Sequence, residues 1–223
     1  GLAAASLLVA ACGSSSSSDS SSAAPAESSA APAESSAAPA ESESAMAAGG
    51  KACVILPDAA SSARWETADR PFLEEAFTAA GVEYDIQNAN GDKAKFATIA
   101  DGMLASGCSA MLIVNLDSPS AAAVIAKADA AGVPVIDYDR LTLGGGAKYY
   151  VSFDNVAVGT TIGEGLVKCL TDAGTTEGPV ALLNGSPTDN NATLFKQGYQ
   201  AAIEAAGYTV AADQAVPDWD NTK

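Results

Sequence analysis

The chain contains no histidine, and so lacks the side chain most often used near neutral pH as general base, proton shuttle and metal ligand. Most hydrolytic mechanisms become hard to write. Basic residues are also scarce: 11 Lys and Arg stand against 27 Asp and Glu, a net charge of −16, and no cluster among them would neutralise a phosphate backbone. Nucleic acid is therefore not an expected partner. The four cysteines, Cys12, Cys53, Cys108 and Cys169, form no CxxC pair or other zinc spacing. Neither a metal nor a cofactor is expected. Aromatic side chains are missing from the start of the chain: every Trp, Tyr and Phe follows Lys51, and residues 13–50 are almost entirely Ser, Ala, Pro, Glu and Gly. Such a segment cannot bury a core, so folding is expected to begin near Lys51.

Two features occupy the stretch before Lys51. Residues 1–12 are small and apolar, too short to span a bilayer as a helix, and end in Leu8-Val9-Ala10-Ala11-Cys12-Gly13. This resembles a bacterial lipobox, which implies an N-terminally incomplete lipoprotein signal peptide, lipidation of Cys12 as the first mature residue, and a membrane anchor of two or more acyl chains. The competing reading is a signal-peptide segment, or a buried helix start, that merely contains a cysteine. Residues 13–50 then carry the repeat Ala-Ala-Pro-Ala-Glu-Ser-Ser from Ala23, from Ala30 and, with a degenerate end, from Ala37. Regular proline and spaced Glu favour an extended, disordered linker, serving as a stalk or having no length requirement at all.

After Lys51 the pattern alternates. Strands are predicted at 51–56, 82–87, 110–114, 133–137 and 149–153, with helices at 69–80, 93–106 and 118–131; several of the helices end at Gly, as at Gly81, Gly107 and Gly132. A second series follows, with a helix at 155–170, a strand at 179–183, a helix at 191–206 and a strand at 208–212. Alternation of this kind implies an α/β fold with doubly wound parallel sheets. The second series has too few strands to close a sheet, so its lobe is expected to be truncated.

In open parallel sheets ligands bind beyond the carboxyl ends of the strands. Those positions hold Asp58, Arg64 and Trp65; Asn88, Asn90 and Asp92; Asn115 and Asp117; Asp139 and Arg140; Asp154 and Asn155; and Asp189, Asn190 and Asn191. Carboxylates, amides and guanidinium groups can bridge vicinal hydroxyls, and Trp65 and Trp219 offer flat surfaces for the apolar face of a sugar ring. Asp and Asn are equally ordinary as helix caps. Asp92, Asp117, Asp154 and Asn155 are assigned to caps, turns or a hinge, and Asp189 is open to either role.

The segment from Lys51 to Lys223 resembles the type I periplasmic sugar-binding proteins of ABC importers, most closely the D-xylose-binding proteins. The resemblance rests on Ala63-Arg64-Trp65, Asn88-Ala89-Asn90-Gly91, Tyr138-Asp139-Arg140, Ser152-Phe153-Asp154-Asn155 and Gly185-Ser186-Pro187-Thr188-Asp189-Asn190-Asn191-Ala192, in the family's order. It implies two lobes joined by a hinge, an N-terminal sugar-binding lobe at 51–152 and the start of a C-terminal lobe at 153–223, with sugar held in the cleft. It carries sugar contacts onto Arg64, Trp65, Asp139, Arg140, Asn190, Asn191 and Trp219, with Asn88, Asn115 and Asp189 as further candidates. The expected role is non-enzymatic: an extracytoplasmic lipoprotein that captures D-xylose or a similar pentose or hexose and delivers it to an ABC transporter permease. Residues 57–62 depart from the family's charged loop, which leaves the sugar open.

Two rival roles share these residues. A sugar or autoinducer-2 sensor for chemotaxis or signalling would use the same lobes, and a secreted carbohydrate-active enzyme would need Asp139 paired with a second carboxylate across one glycosidic bond. Acidic groups set beside Arg and Asn suit hydrogen-bond acceptance better than proton donation. Cys53 and Cys108 are read as buried free thiols, with a bridge between them as the alternative, and Cys169 as an unpaired helix end.

Overall fold

The computed structural model describes residues 49–59, 62–220 and 222. Cys12 and the repeat-bearing linker lie outside the described residues. Five parallel strands, β1 (Lys51–Leu56), β2 (Glu83–Asn88), β3 (Ala110–Ile113), β4 (Val135–Tyr138) and β5 (Tyr149–Val151), form one sheet in the order β2-β1-β3-β4-β5. They alternate with α1 (Arg70–Ala79), α2 (Lys93–Ala105) and α3 (Ser118–Ala130). Helices and parallel strands thus alternate in the α/β arrangement expected from the sequence.

β1 is buried almost throughout, as a strand covered on both faces must be. Cys53 and Ile55 point to the side packed by Phe96, Ile99 and Met103 of α2 and Val124 and Ile125 of α3. Val54 and Leu56 point to the other side, against Trp65 and against Leu73 and Phe77 of α1. One alternating strand thus joins both halves of the core. The edge strands β2 and β5 are more exposed, and Tyr149 and Val151 of β5 are largely open.

Cys53 and Cys108 are joined by a disulfide, which corrects the expectation of free thiols. Their Cα atoms lie 5.9 Å apart, within bridging reach. Cys108 enters β3 directly beside β1, and Lys51 C=O accepts from Ser109 N–H at 2.8 Å, so the pairing of the strands brings the two thiols together. Cys169 is free and exposed near the end of a helix, as expected.

The second series begins with α4 (Asn155–Asp172) and continues through β6 (Pro179–Asn184), α5 (Asn190–Ala205) and β7 (Thr209–Ala215); β6 and β7 pair in parallel. A β-carbon at Gly159 would meet the main chain of Phe195, and one at Gly163 would lie 2.7 Å from Tyr199 O. Residues at a constant offset therefore touch along both helices, which run side by side in one direction and bring the first turns of α4 and α5 together.

Candidate functional site

The order of the first sheet sets the place of the site. From β1 the chain moves to β2 on one side and returns to β3 on the other, so the loops leaving β1 and β3 diverge and open a crevice at their carboxyl ends. Three devices fill it with polar groups.

The first is a wide turn at Trp65–Asp69, where Arg70 N–H reaches back five residues to Trp65 O. Pro71 lacks the N–H that would bond Thr67 and continue the ordinary ladder. The turn sets Arg64 against Asp69, with Nε 2.9 Å and Nη2 3.2 Å from its carboxylate oxygens, while Nη2 also reaches Asp139 Oδ2 at 2.8 Å. Burial pulls the Arg64 guanidinium down, but Asp69 and Asp139 more than offset that and hold it above its ordinary value. Tyr138 donates to Asp69 at 2.7 Å; burial first, then that carboxylate, pushes its phenol up to about 12.

The second is a tight turn after β4. Asp139 has a φ of +67°, and Arg140 N–H donates to Tyr138 O at 2.8 Å across it. Asp139 N–H donates to Val151 O at 2.8 Å and Ser152 Oγ to Asp139 O at 2.6 Å, so β5 holds the strained residue in place. Burial pushes the Asp139 carboxyl up, opposed by the Arg64 guanidinium beside it. Below it, Asn115 donates to Arg140 O and Thr142 Oγ1, both at 3.0 Å, and its own carbonyl accepts from Arg140 Nη1 at 3.1 Å.

The third is the start of α5. Asp189 caps the helix by accepting Asn191 N–H at 2.9 Å; its other oxygen takes Arg140 Nε and Trp219 Nε1, each at 3.0 Å. Asn191 donates to both Asp139 O and Asp139 Oδ1 at 3.0 Å. The Arg140–Asp189 pair is almost fully enclosed, where an ion pair holds only with such additional hydrogen bonds.

Together these residues enclose a cavity of about 300 Å³ walled by Arg64, Trp65, Asp139, Arg140, Asp189, Asn191 and Trp219, with Ser62, Phe153, Asn155 and Phe195 completing it. A second, smaller cavity of about 180 Å³ shares Arg140, Asp189 and Trp219 with it. Trp219 lies flat against Gly185, where any side chain would collide with the indole. Trp65 is sunk into the core, with the Arg64 guanidinium 4.1 Å and that of Arg140 5.7 Å from its ring centre. It presents those two donor forks to the cavity.

The remaining candidates sit elsewhere. Asn88 donates to Glu66 at 2.6 Å and accepts Asn90 N–H at 2.8 Å, so its amide braces the loop after β2 and does not line the cavity. Asn115 is buried beneath Arg140, and Asn190 opens α5 without lining either cavity. Asp92, Asp117 and Asp154 cap α2, α3 and α4. Phe195 is not among the candidates read from the sequence, although it lies one turn beyond Asn191 on the same helix face, and Asn155 is assigned there to a cap, turn or hinge.

The model of the periplasmic binding protein domain matches residues 53–223. The chain belongs to this family. A D-xylose-binding periplasmic protein of Haemophilus influenzae is 32% identical over 160 residues, covering 70% of this chain and 46% of that protein. The D-xylose-binding periplasmic protein of Escherichia coli is 28% identical over 160 residues, covering 70% and 47%. A carbohydrate transporter solute-binding protein from Chloroflexus aurantiacus, solved with D-glucose, is 33% identical with a TM-score of 0.63, covering 71% of this chain and 47% of that one. An ABC transporter solute-binding protein from Clostridium phytofermentans, solved with β-D-glucose, is 27% identical with a TM-score of 0.68, covering 76% and 55%. This family member spans about half the length of the curated relatives it matches.

Proposed function

We propose that this periplasmic binding protein domain captures a monosaccharide, a pentose such as D-xylose or a hexose, in the cavity between Trp65 and Trp219. The convergence of Asp139, Arg140, Asp189 and Asn191 on one cavity carries the reading. Each hydroxyl of a sugar both donates and accepts, and this wall alternates carboxylate oxygens with guanidinium and amide N–H groups. Trp219, Phe153 and Phe195 supply surfaces for the C–H face of the ring. The relatives named for D-xylose and the structures solved with glucose agree with this chemistry.

The carboxylates are committed as acceptors: Asp139 to Arg64 and Asn191, and Asp189 to Arg140 and Trp219. Neither is left as a proton donor or nucleophile, so the sugar is bound and released unchanged. Asp139 and Arg140 lie in the turn after β4 of the first sheet while Asp189 and Asn191 lie at the N-terminus of α5, so a ligand touching all four favours the arrangement that keeps them together. We infer an extracytoplasmic carrier, anchored through lipid on Cys12 and spaced by residues 13–50, that hands the sugar to an ABC transporter permease. The exposed apolar row of Val158, Ile162 and Leu166 on α4, with Leu183 of β6, suits a lobe completed by further polypeptide.

A relative named "Multiple sugar-binding periplasmic receptor ChvE", 32% identical over 158 residues, favours sensing as a second use of the same site. A thermal-shift and calorimetric screen of the full-length protein against xylose, ribose, arabinose, glucose, galactose and autoinducer-2 tests the reading. At ligand near 100 Kd the bound form gains about 2.7 kcal/mol, an easily resolved shift. Silence across the panel sinks the carrier reading.

A further inference from the structure

Asn155 is the first residue of α4 and is 3% exposed. Its neighbour Asp154 performs the capping by accepting Ala157 N–H at 3.0 Å, so the amide of Asn155 is not needed for that role. What faces it decides which way the amide points. Asp139 offers two oxygens to Asn191, which must turn its Nδ2 toward them and its Oδ1 toward α4. Asn155 must then turn its Nδ2 to that Oδ1, 3.1 Å away, with Ser152 Oγ at 3.4 Å and Tyr150 OH at 3.5 Å on the same side. The order of donors and acceptors is fixed from Asp139 outward, and Asn155 Oδ1 is the end of it. That oxygen is buried and has no hydrogen-bond partner.

The side chain cannot easily escape this position. Its helix is pinned to α5 by the contact of Gly159 with the main chain of Phe195, one turn on. A buried acceptor left unpaired is costly, and Asn155 stands in the wall of the same cavity as Asp139, Arg140 and Asn191. We propose that Asn155 Oδ1 accepts a hydrogen bond from one particular hydroxyl of the bound sugar, making Asn155 a specificity-determining residue that rejects analogues lacking that hydroxyl. This rests on the sugar-carrier reading and adds to it a residue assigned by sequence to a structural role.

The test is a calorimetric titration of the full-length protein with the best-binding sugar and its monodeoxy series, repeated on Asn155→Ala. In the wild type, removing the hydroxyl that faces Asn155 is expected to weaken binding on the order of 10- to 100-fold. In Asn155→Ala that factor falls to near one, while the factors at the other positions persist. Asn155→Ser gives the same readout should the alanine variant fail to fold. Identical deoxy factors at every position in wild type and Asn155→Ala overturn the assignment while leaving the carrier reading intact. A wild type that binds no sugar overturns both.

Discussion

Gly159 and Gly165 lie less than two turns apart on α4, yet adding one methyl group to each is expected to act in opposite directions. At Gly165 a β-carbon meets nothing within 4 Å, so Gly165→Ala gains only the lower backbone entropy of alanine, about 0.5–1 kcal/mol of stability. At Gly159 the same methyl meets the carbonyl and Cα of Phe195, which belong to the backbone of α5 and cannot rotate aside. Overpacking costs about 1–3 kcal/mol, and a rigid neighbour puts this site near the upper end. After the helix-propensity gain is subtracted, the two variants are expected to differ by about 3 kcal/mol. Parting the helices also draws Asn155 away from Asn191 and shifts Phe195 in the cavity wall, so Gly159→Ala is expected to bind sugar more weakly while Gly165→Ala binds normally. Urea denaturation of the two full-length variants gives the stabilities, and calorimetry gives the affinities. Equal stability in the two would refute the idea that these glycines hold the first turns of α4 and α5 together.

Gly185→Ala drives a methyl into the ring of Trp219 and is expected to break its bond to Asp189, lowering sugar affinity at least tenfold, about 1.4 kcal/mol, and changing indole fluorescence; unchanged emission and affinity would show that Trp219 does not sit there. The Asp139 carboxyl is raised above its unfolded value by burial, so its contribution to stability is full below the unfolded value and is lost as pH rises through the folded one. Asp139→Asn should flatten that part of a stability-against-pH curve. Sugar affinity runs the other way, because only the ionised carboxylate pairs fully with Arg64 and accepts from Asn191, so binding is expected to weaken as pH falls through the raised value. Cys53 and Cys108 close a loop across a separation of 55 residues, worth about 4 kcal/mol on the chain-entropy model, so Cys53→Ala with Cys108→Ala should lower the urea midpoint markedly. A double variant as stable as the parent would count against a staple in the first sheet.

Much of the fold was legible because its central strands β1 and β3 are buried and its helices end at glycines. The apolar run of β1 and the helical spacing of α1 place those elements within a residue or two of where they lie. The turn at Trp65–Asp69 was not legible, since five residues carry too little periodicity to separate it from an ordinary helix start. The site was legible as a place, because strand ends collect ligand-facing side chains, but not as a network. Nothing in the sequence says that Asn88 is spent on Glu66, or that Arg140 and Asp189 neutralise each other within the wall. The disulfide stands in the sequence only as the alternative to free thiols, because apolar neighbours suit both; strand pairing decides it by placing Cys108 beside Cys53.

The most direct measurement is a crystal structure of the full-length protein grown with the sugar that shifts its melting temperature most. Density for one ring beside Trp219, with hydroxyls bonded to Asp139, Arg140 and Asn191, is the expected result. A ring bound elsewhere, or an unfilled cavity at saturating sugar, would contradict the assignment of this site.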